Sequence, residues 1–449
     1  MNHLLKNGLP RKAFLGVCVF FLSFFMAFPY QKPLSKTSAQ KKVLDNGLTL
    51  IYQLDTSSPL TVLQIFIKGG KGAEPQGKEG LAYLTTRLTL EIPDRGKIQD
   101  LMNQATHLSM SCERDYSLVR ISCLSEYLES TLDLVTTIMG DPLFSGLRIN
   151  RIKELMGHYR ESESDDPLNV AHNAFTNSLF QNTPYAGLFY GSKQSLKAIK
   201  KKDIVNFYKN HFNADNMIIS LSTDRPKKEI VKTIQEYFNE FPPGESSETK
   251  SFSFTPPENH SQTIDKDTQQ YVVSLGYPLP KTTTKNYVYG LMLENLLGKG
   301  FNSRLWPLRV KEKLAYHVNS RVTLLRKKSM IEAFLETDRD KKEYAVQALK
   351  RTLHRLSEKG ITQKELKTTK IFTKASFLRE NETKKNRTYT LGSFEALGLG
   401  FDFLQRIFQE IDKIEVEEFN SFLQNYLDPH KEIQVIVGPQ RKKSPPQNK

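Results

Sequence analysis

Cysteine is scarce in this chain, with three residues in 449, at positions 18, 112 and 123. Cys18 lies inside an apolar N-terminal run, so two thiols remain, too few for a disulfide framework or a four-cysteine zinc module. Cys112 and Cys123 fall on two strands of an expected hairpin that turns near Arg114-Asp115. A symmetric register about that turn sets Cys112 opposite Ser117 and away from Cys123, so a disulfide is not favoured. The nine histidines are scattered, none within four residues of another. No H-x-x-H or H-x-x-x-H helix pair therefore exists, and no Ser/His/Asp or Cys/His arrangement stands out. Acidic charge is also in deficit, leaving a formal net charge of +15. The excess is spread over runs such as Lys41-Lys42, Lys200-Lys201-Lys202, Lys384-Lys385 and Arg441-Lys442-Lys443, without interleaved aromatics or a nucleic-acid module. Most of it reads as solvated surface, with no nucleic-acid partner. Attraction to an anionic membrane face or an acidic partner is the minority reading.

What is present begins with Ala13–Phe28, an apolar run behind Lys6, Arg11 and Lys12, the pattern of a secretory signal. Export to the periplasm or another extracytoplasmic space is the expectation. Ala27 is a candidate cleavage point, although Phe25 fits a small-x-small site poorly. The run falls short of the ~20 residues of a spanning helix, and a cleaved leader and an uncleaved membrane anchor both stay open.

The rest of the chain divides by composition. Residues 1–40 form the leader and a polar connector, and 41–241 a first α+β unit. Residues 242–262, starting Pro242-Pro243-Gly244-Glu245, are a linker; 263–438 form a second unit with the same order of elements, and 439–449 a basic, disordered tail. Strands are expected over Val43–Tyr52 around an Asn-Gly turn, Val62–Ile67, Asn216–Ser222, Gln270–Tyr277 and Ile433–Val437. Helices are expected over Ile204–Phe212, Tyr287–Leu297 and Lys341–Glu358.

Two segments carry chemistry. Gly80-Leu81-Ala82-Tyr83-Leu84-Thr85-Thr86-Arg87-Leu88 is an amphipathic helix behind a glycine-rich approach through Gly69-Gly70. Gly298–Val318, GKGFNSRLWPLRVKEKLAYHV, offers Ser-Arg-Leu, a short helix with Leu-Arg, and a strand opening at Ala315-Tyr316. Together with His107–Asp115, HLSMSCERD, and the step Asp141-Pro142-Leu143-Phe144, these resemble the insulinase/pitrilysin (M16) family of zinc metallopeptidases, over nearly everything from 41 to 438.

The resemblance implies an α+β fold of two homologous repeats, each a mostly antiparallel sheet with helices packed on one face, forming half of a clam-shaped peptidase. It also places the family's H-x-x-E-H on Tyr83, Thr86 and Arg87. The third zinc ligand falls at Tyr159, counted back from Asp165-Asp166-Pro167, with Glu154 and Glu161 nearby, and Ser109 stands where active members usually carry Asn. Tyr and Thr are not usual zinc ligands and Arg repels a cation, so this chain is expected to bind no zinc. By the same match Arg309 and Tyr316 are the residues that reach across to hold substrate and a developing oxyanion, a role suited to a guanidinium fork and a phenol. The implied function is a catalytically silent subunit, inactive alone. It would pair as a heterodimer with a zinc-bearing H-x-x-E-H homologue and close around an unfolded peptide. The alternative is a non-enzymatic peptide-binding or scaffold protein on the same fold.

Overall fold

The computed structural model of the chain describes residues 38–244, 252–255 and 258–439. The expected leader, the middle of the linker and the basic tail lie outside these residues. The described chain builds β1 (Gln40–Val43), β2 (Thr49–Leu54), β3 (Leu60–Lys68), α1 (Leu81–Leu88), α2 (Arg95–Asn103), β4 (His107–Cys112), β5 (Tyr116–Leu124), α3 (Leu128–Gly140), α4 (Gly146–Asp165) and α5 (Pro167–Leu179). α6 (Lys193–Ala198), α7 (Lys201–His211), β6 (Met217–Thr223) and α8 (Lys227–Phe238) complete the first repeat. The second holds β7 (His260–Asp265), β8 (Tyr271–Leu279), α9 (Thr284–Leu297), α10 (Trp306–Val310), β9 (His317–Thr323), β10 (Ser329–Thr337) and α11 (Lys342–Lys359). It ends with α12 (Gln363–Glu380), α13 (Lys384–Leu397), α14 (Phe403–Lys413), α15 (Val416–Tyr426) and β11 (Ile433–Gly438).

Each repeat has one sheet, in the orders β1-β2-β6-β3-β5-β4 and β7-β11-β8-β10-β9. The pairs β2–β6 and β7–β11 are parallel and all others antiparallel. Apart from β1 the two wirings correspond strand for strand. The central strands β3 and β8 are apolar runs buried on both faces, as strands covered by helices on each side must be.

Alternation along β3 sorts its side chains between two cores. Leu63, Ile65 and Ile67 pack with Leu132 and Val135 of α3 and Ile230 and Ile234 of α8. Phe66 on the opposite face packs with Leu391 and Ala396 of α13. The second face of each sheet thus carries a helix lent by the other repeat, in addition to the helices expected on one face. α13 lies on β3 and β6, and α5 lies on β8 and β11.

Both exchanges rest on a glycine. A Cβ at Gly392 of α13 would come within 2.1 Å of the Phe66 ring, and one at Gly276 of β8 within 2.7 Å of the Phe175 ring of α5. Polar groups finish the interlock. Lys384 is buried and its Nζ donates to the carbonyls of Asp55, Ser58 and Leu60, while Arg387 pairs with the Asp55 carboxylate. Buried Gln64 donates to the Lys385 carbonyl at 2.7 Å. Glu332 accepts from Ser274 and pairs with His172 of α5.

Cys112 faces Ser117 in the β4–β5 ladder, and both Cys112 and Cys123 are free and buried. His260–Gln262, placed in the linker from composition, instead begin β7 alongside β11. Phe252 and Phe254 of the same stretch pack against Tyr185 and Phe180. Composition misses this because a polar edge strand needs only one paired side and little burial. No helix among the described residues is long and apolar enough to cross a membrane.

Candidate functional site

α1 starts at Gly80, whose left-handed φ of 95° suits a residue without Cβ. Its exposed N–H groups need acceptors. Glu74 supplies one, since its Oε1 accepts from the N–H of Gly80 at 3.0 Å and of Ala82 at 2.9 Å, while its Oε2 lies 3.2 Å from Lys71 Nζ. Both side chains are buried. Burial raises the Glu74 pKa, against the lowering by Lys71 and the two N–H groups. The start of α1 is therefore held by a buried Lys71–Glu74 pair.

The three positions of the motif are occupied by groups already engaged. The Tyr83 ring meets Tyr190 edge-on at 4.8 Å and Tyr159 at 6.4 Å, and Tyr159 and Tyr190 are 5.3 Å apart. Desolvation pushes the Tyr83 phenol far above its ordinary pKa. Thr86 is buried and its hydroxyl donates to the Ala82 carbonyl at 2.8 Å. Arg87 pairs with Glu91 at 2.7 Å, and Arg151 of α4 pairs with the same carboxylate. These residues do not fit a zinc ion, and among the described residues no three His, Cys, Asp or Glu side chains gather as a metal-binding group.

Tyr83, Arg87, Tyr159, Ser109 and Arg151 line a cleft of about 830 Å3. Its far wall is β4, the edge strand of the first sheet. Tyr159 is thus brought together with Tyr83 and Arg87. Glu154 and Glu161 line a different cleft, on another side of α4.

Arg309 and Tyr316 lie elsewhere. Arg309 sits in the last turn of the short helix α10, and Tyr316 precedes β9 by one residue, its N–H donating to the Glu336 carbonyl at 3.2 Å. Both are exposed, Tyr316 by 80%. The Arg309 guanidinium stacks 5.1 Å from the Trp306 ring and 5.8 Å from the Tyr316 ring, and Phe301 packs edge-on against Trp306 at 5.0 Å. The tryptophan holds the guanidinium in place without neutralising it, leaving its hydrogen-bond donors directed to solvent. Neither residue lines the cleft at Tyr83.

The class defined by this fold and site is a two-repeat peptidase-type scaffold whose metal helix carries no metal ligands. Family models agree with that class. Insulinase (Peptidase family M16) matches residues 50–192 and the Peptidase M16 inactive domain matches residues 198–371. The chain belongs to the insulinase family. It is 26% identical over 400 residues to the non-peptidase homolog YmxG of Helicobacter pylori, covering 88% of this chain and 92% of that one. It is 22% identical over 209 residues to a probable mitochondrial-processing peptidase subunit beta of Arabidopsis thaliana, covering 46% and 39%. Among solved structures, a peptidase M16 inactive domain from Pseudomonas fluorescens superimposes with a TM-score of 0.82 at 21% identity, covering 91% of this chain and 99% of that one.

Sequence reasoning misses Lys71, Glu74, Glu91 and Tyr190. The signal for Glu91 is its position four residues after Arg87, an ion-pair spacing on a helix. Tyr190 gives none, because it reaches Tyr83 from more than a hundred residues away in sequence.

Proposed function

We propose that this chain is the catalytically silent subunit of a two-chain metallopeptidase. A zinc-bearing homologue would supply the metal and general base, and this chain would supply one wall of the peptide chamber together with Arg309 and Tyr316. The observation that carries this reading is the contrast between the two segments. The positions for metal ligands hold engaged side chains, while the arginine and tyrosine are exposed, oriented by Trp306, and bound to no carboxylate among the described residues. A guanidinium and a phenol on a surface are suited to a carbonyl oxygen presented by another chain. The open edge of β4 beside the Tyr83 cleft offers backbone groups to an extended peptide. The name of the plant relative, a subunit beta, supports an assembly of more than one chain. In this reading the chain is exported and the peptide is unfolded when it binds.

The test is capture of the tagged full chain from its native host in mild detergent, followed by identification of co-purifying chains, zinc content and chelator-sensitive peptide cleavage. Recovery of an H-x-x-E-H homologue in near-equal amount, with zinc and activity, is the expected result. Recovery of this chain alone, zinc-free and inert, overturns the split enzyme and leaves a peptide-binding scaffold.

A further inference from the structure

Positive charge gathers in a concave part of the described surface. α4 separates two clefts. The Tyr83 cleft lies on one side, and on another a cleft of about 700 Å3 opens between α4, α6 and the start of α7. Lys153, Lys193, Lys197, Lys200 and Lys201 line it, and among the described residues none of the five forms an ion pair with a carboxylate. Lys153 Nζ donates to the Ile199 carbonyl at 2.7 Å, and Lys200 Nζ to the Lys197 carbonyl at 3.3 Å. Of the carboxylates in the lining, Glu161 faces His158 at 3.7 Å and Glu154 stands alone. The Lys78–Asp203 pair lies beside the cleft and neutralises itself.

Such an arrangement is unfavourable unless something offsets it. Burial and the like charges of Lys200 and Lys78 lower the Lys153 pKa, against a smaller raising by Asp203. Lys201 and Lys202 also open α7, at the end of a helix where cations are disfavoured. The floor is apolar, formed by Ile149, Leu196 and Ile199.

We propose that this cleft binds an acidic peptide segment of a partner chain, its carboxylates on the lysines and its aliphatic atoms on the floor. The spacing favours this ligand over a compact phosphate. Lys193 and Lys197 stand one helical turn apart, about 5–6 Å, close to the roughly 7 Å between alternate side chains of an extended strand. Arg160 in the lining donates through Nη1 to the Gly191 carbonyl at 3.1 Å, which fixes that edge of its guanidinium on the wall of the cleft.

The experiment is fluorescence anisotropy on the full chain in mild detergent, with a labelled peptide of alternating glutamate and alanine and a glutamine–alanine peptide as the neutral control. Inorganic polyphosphate and phosphatidylglycerol vesicles serve as competitors. The expected result is binding of the acidic peptide alone, weakened by salt and reduced at least about tenfold in K193E/K197E/K201E. K42E/K364E/K367E removes the same charge from other exposed sites and is expected to change affinity less than about twofold. Circular dichroism checks the fold, and K197Q/K200Q provides a milder second variant. No binding by the unaltered chain, equal loss in both charge-reversal variants, or tighter binding of polyphosphate or vesicles at the same lysines each overturns the proposal.

Discussion

The two repeats share one wiring and put its equivalent ends to different use. In the first, β3 leads into α1, where three tyrosines, a bonded threonine and an arginine–glutamate pair fill the space around the metal positions. In the second, β8 leads into α9 and then to a loop that leaves Phe301, Arg309 and Tyr316 in solvent. The wiring is maintained by burial, which involves dozens of side chains and tolerates few changes. The chemistry depends on a handful of groups and is lost by a few substitutions. A scaffold can therefore keep its wiring where the residues of a site have changed.

The comparison can be broken first at the interlock. Phe175→Ala removes the ring that seats α5 on Gly276, and is expected to cost about 4 kcal/mol in urea unfolding. Asp55→Ala strips the partner from Arg387 and one neighbour from Lys384, with an expected loss of about 3 kcal/mol by the same measurement. A change below about 1 kcal/mol in both would mean that the repeats are stable without their exchanged helices.

The exposed pair is tested by activity. In the two-chain enzyme proposed above, Arg309→Ala is expected to lower turnover about a hundredfold, with Tyr316→Phe smaller at about tenfold. Both should leave the melting of the chain by itself nearly unchanged, since both side chains are exposed.

A pH titration sharpens the view of the first repeat. His211 donates through Nδ1 to the Lys68 carbonyl at 3.2 Å, and burial lowers its pKa from 6.5 to about 4. Between those values the unfolded chain binds the extra proton. Stability on the order of 3 kcal/mol is therefore present above pH 6.5 and lost as pH falls towards 4. His211→Gln should flatten that acid limb of the unfolding profile. The smallest effect belongs to metal removal. A chelator is expected to leave the melting temperature of the isolated chain unchanged, and a chelator-dependent fall would place a structural metal in it.

Much of the fold can be read in the sequence because its elements announce themselves locally. The Asn46-Gly47 turn, the apolar runs of β3 and β8, the Asp166-Pro167 start of α5 and the symmetric turn that sets Cys112 against Ser117 each follow from a few adjacent residues. Of the four helices between α11 and β11, α12 escapes the sequence pattern because its polar stretch Lys364–Lys374 carries too weak an apolar stripe to stand out, whereas Phe403, Ile407 and Ile411 give α14 a stripe that the sequence does display. The site is legible in part. Tyr83, Thr86 and Arg87 do fall on one short helix, and Arg309 and Tyr316 on one short segment; their proposed roles come from the family resemblance of those segments.

The sequence by itself determined the main strands and several helices in their order, the absence of metal ligands on α1, and the family to which these motifs belong. Those features depend on residue identity and on neighbours within a few turns of chain. Only the tertiary structure decided that Tyr190 and Tyr159 close over Tyr83, that Glu74 with Lys71 anchors α1, that α5 and α13 exchange sheets, and that five lysines from α4, α6 and α7 face one cleft. Apart from the local Lys71–Glu74 pair, these join residues distant along the chain, and such pairings are set by which apolar faces must be covered at once, a condition no local pattern encodes.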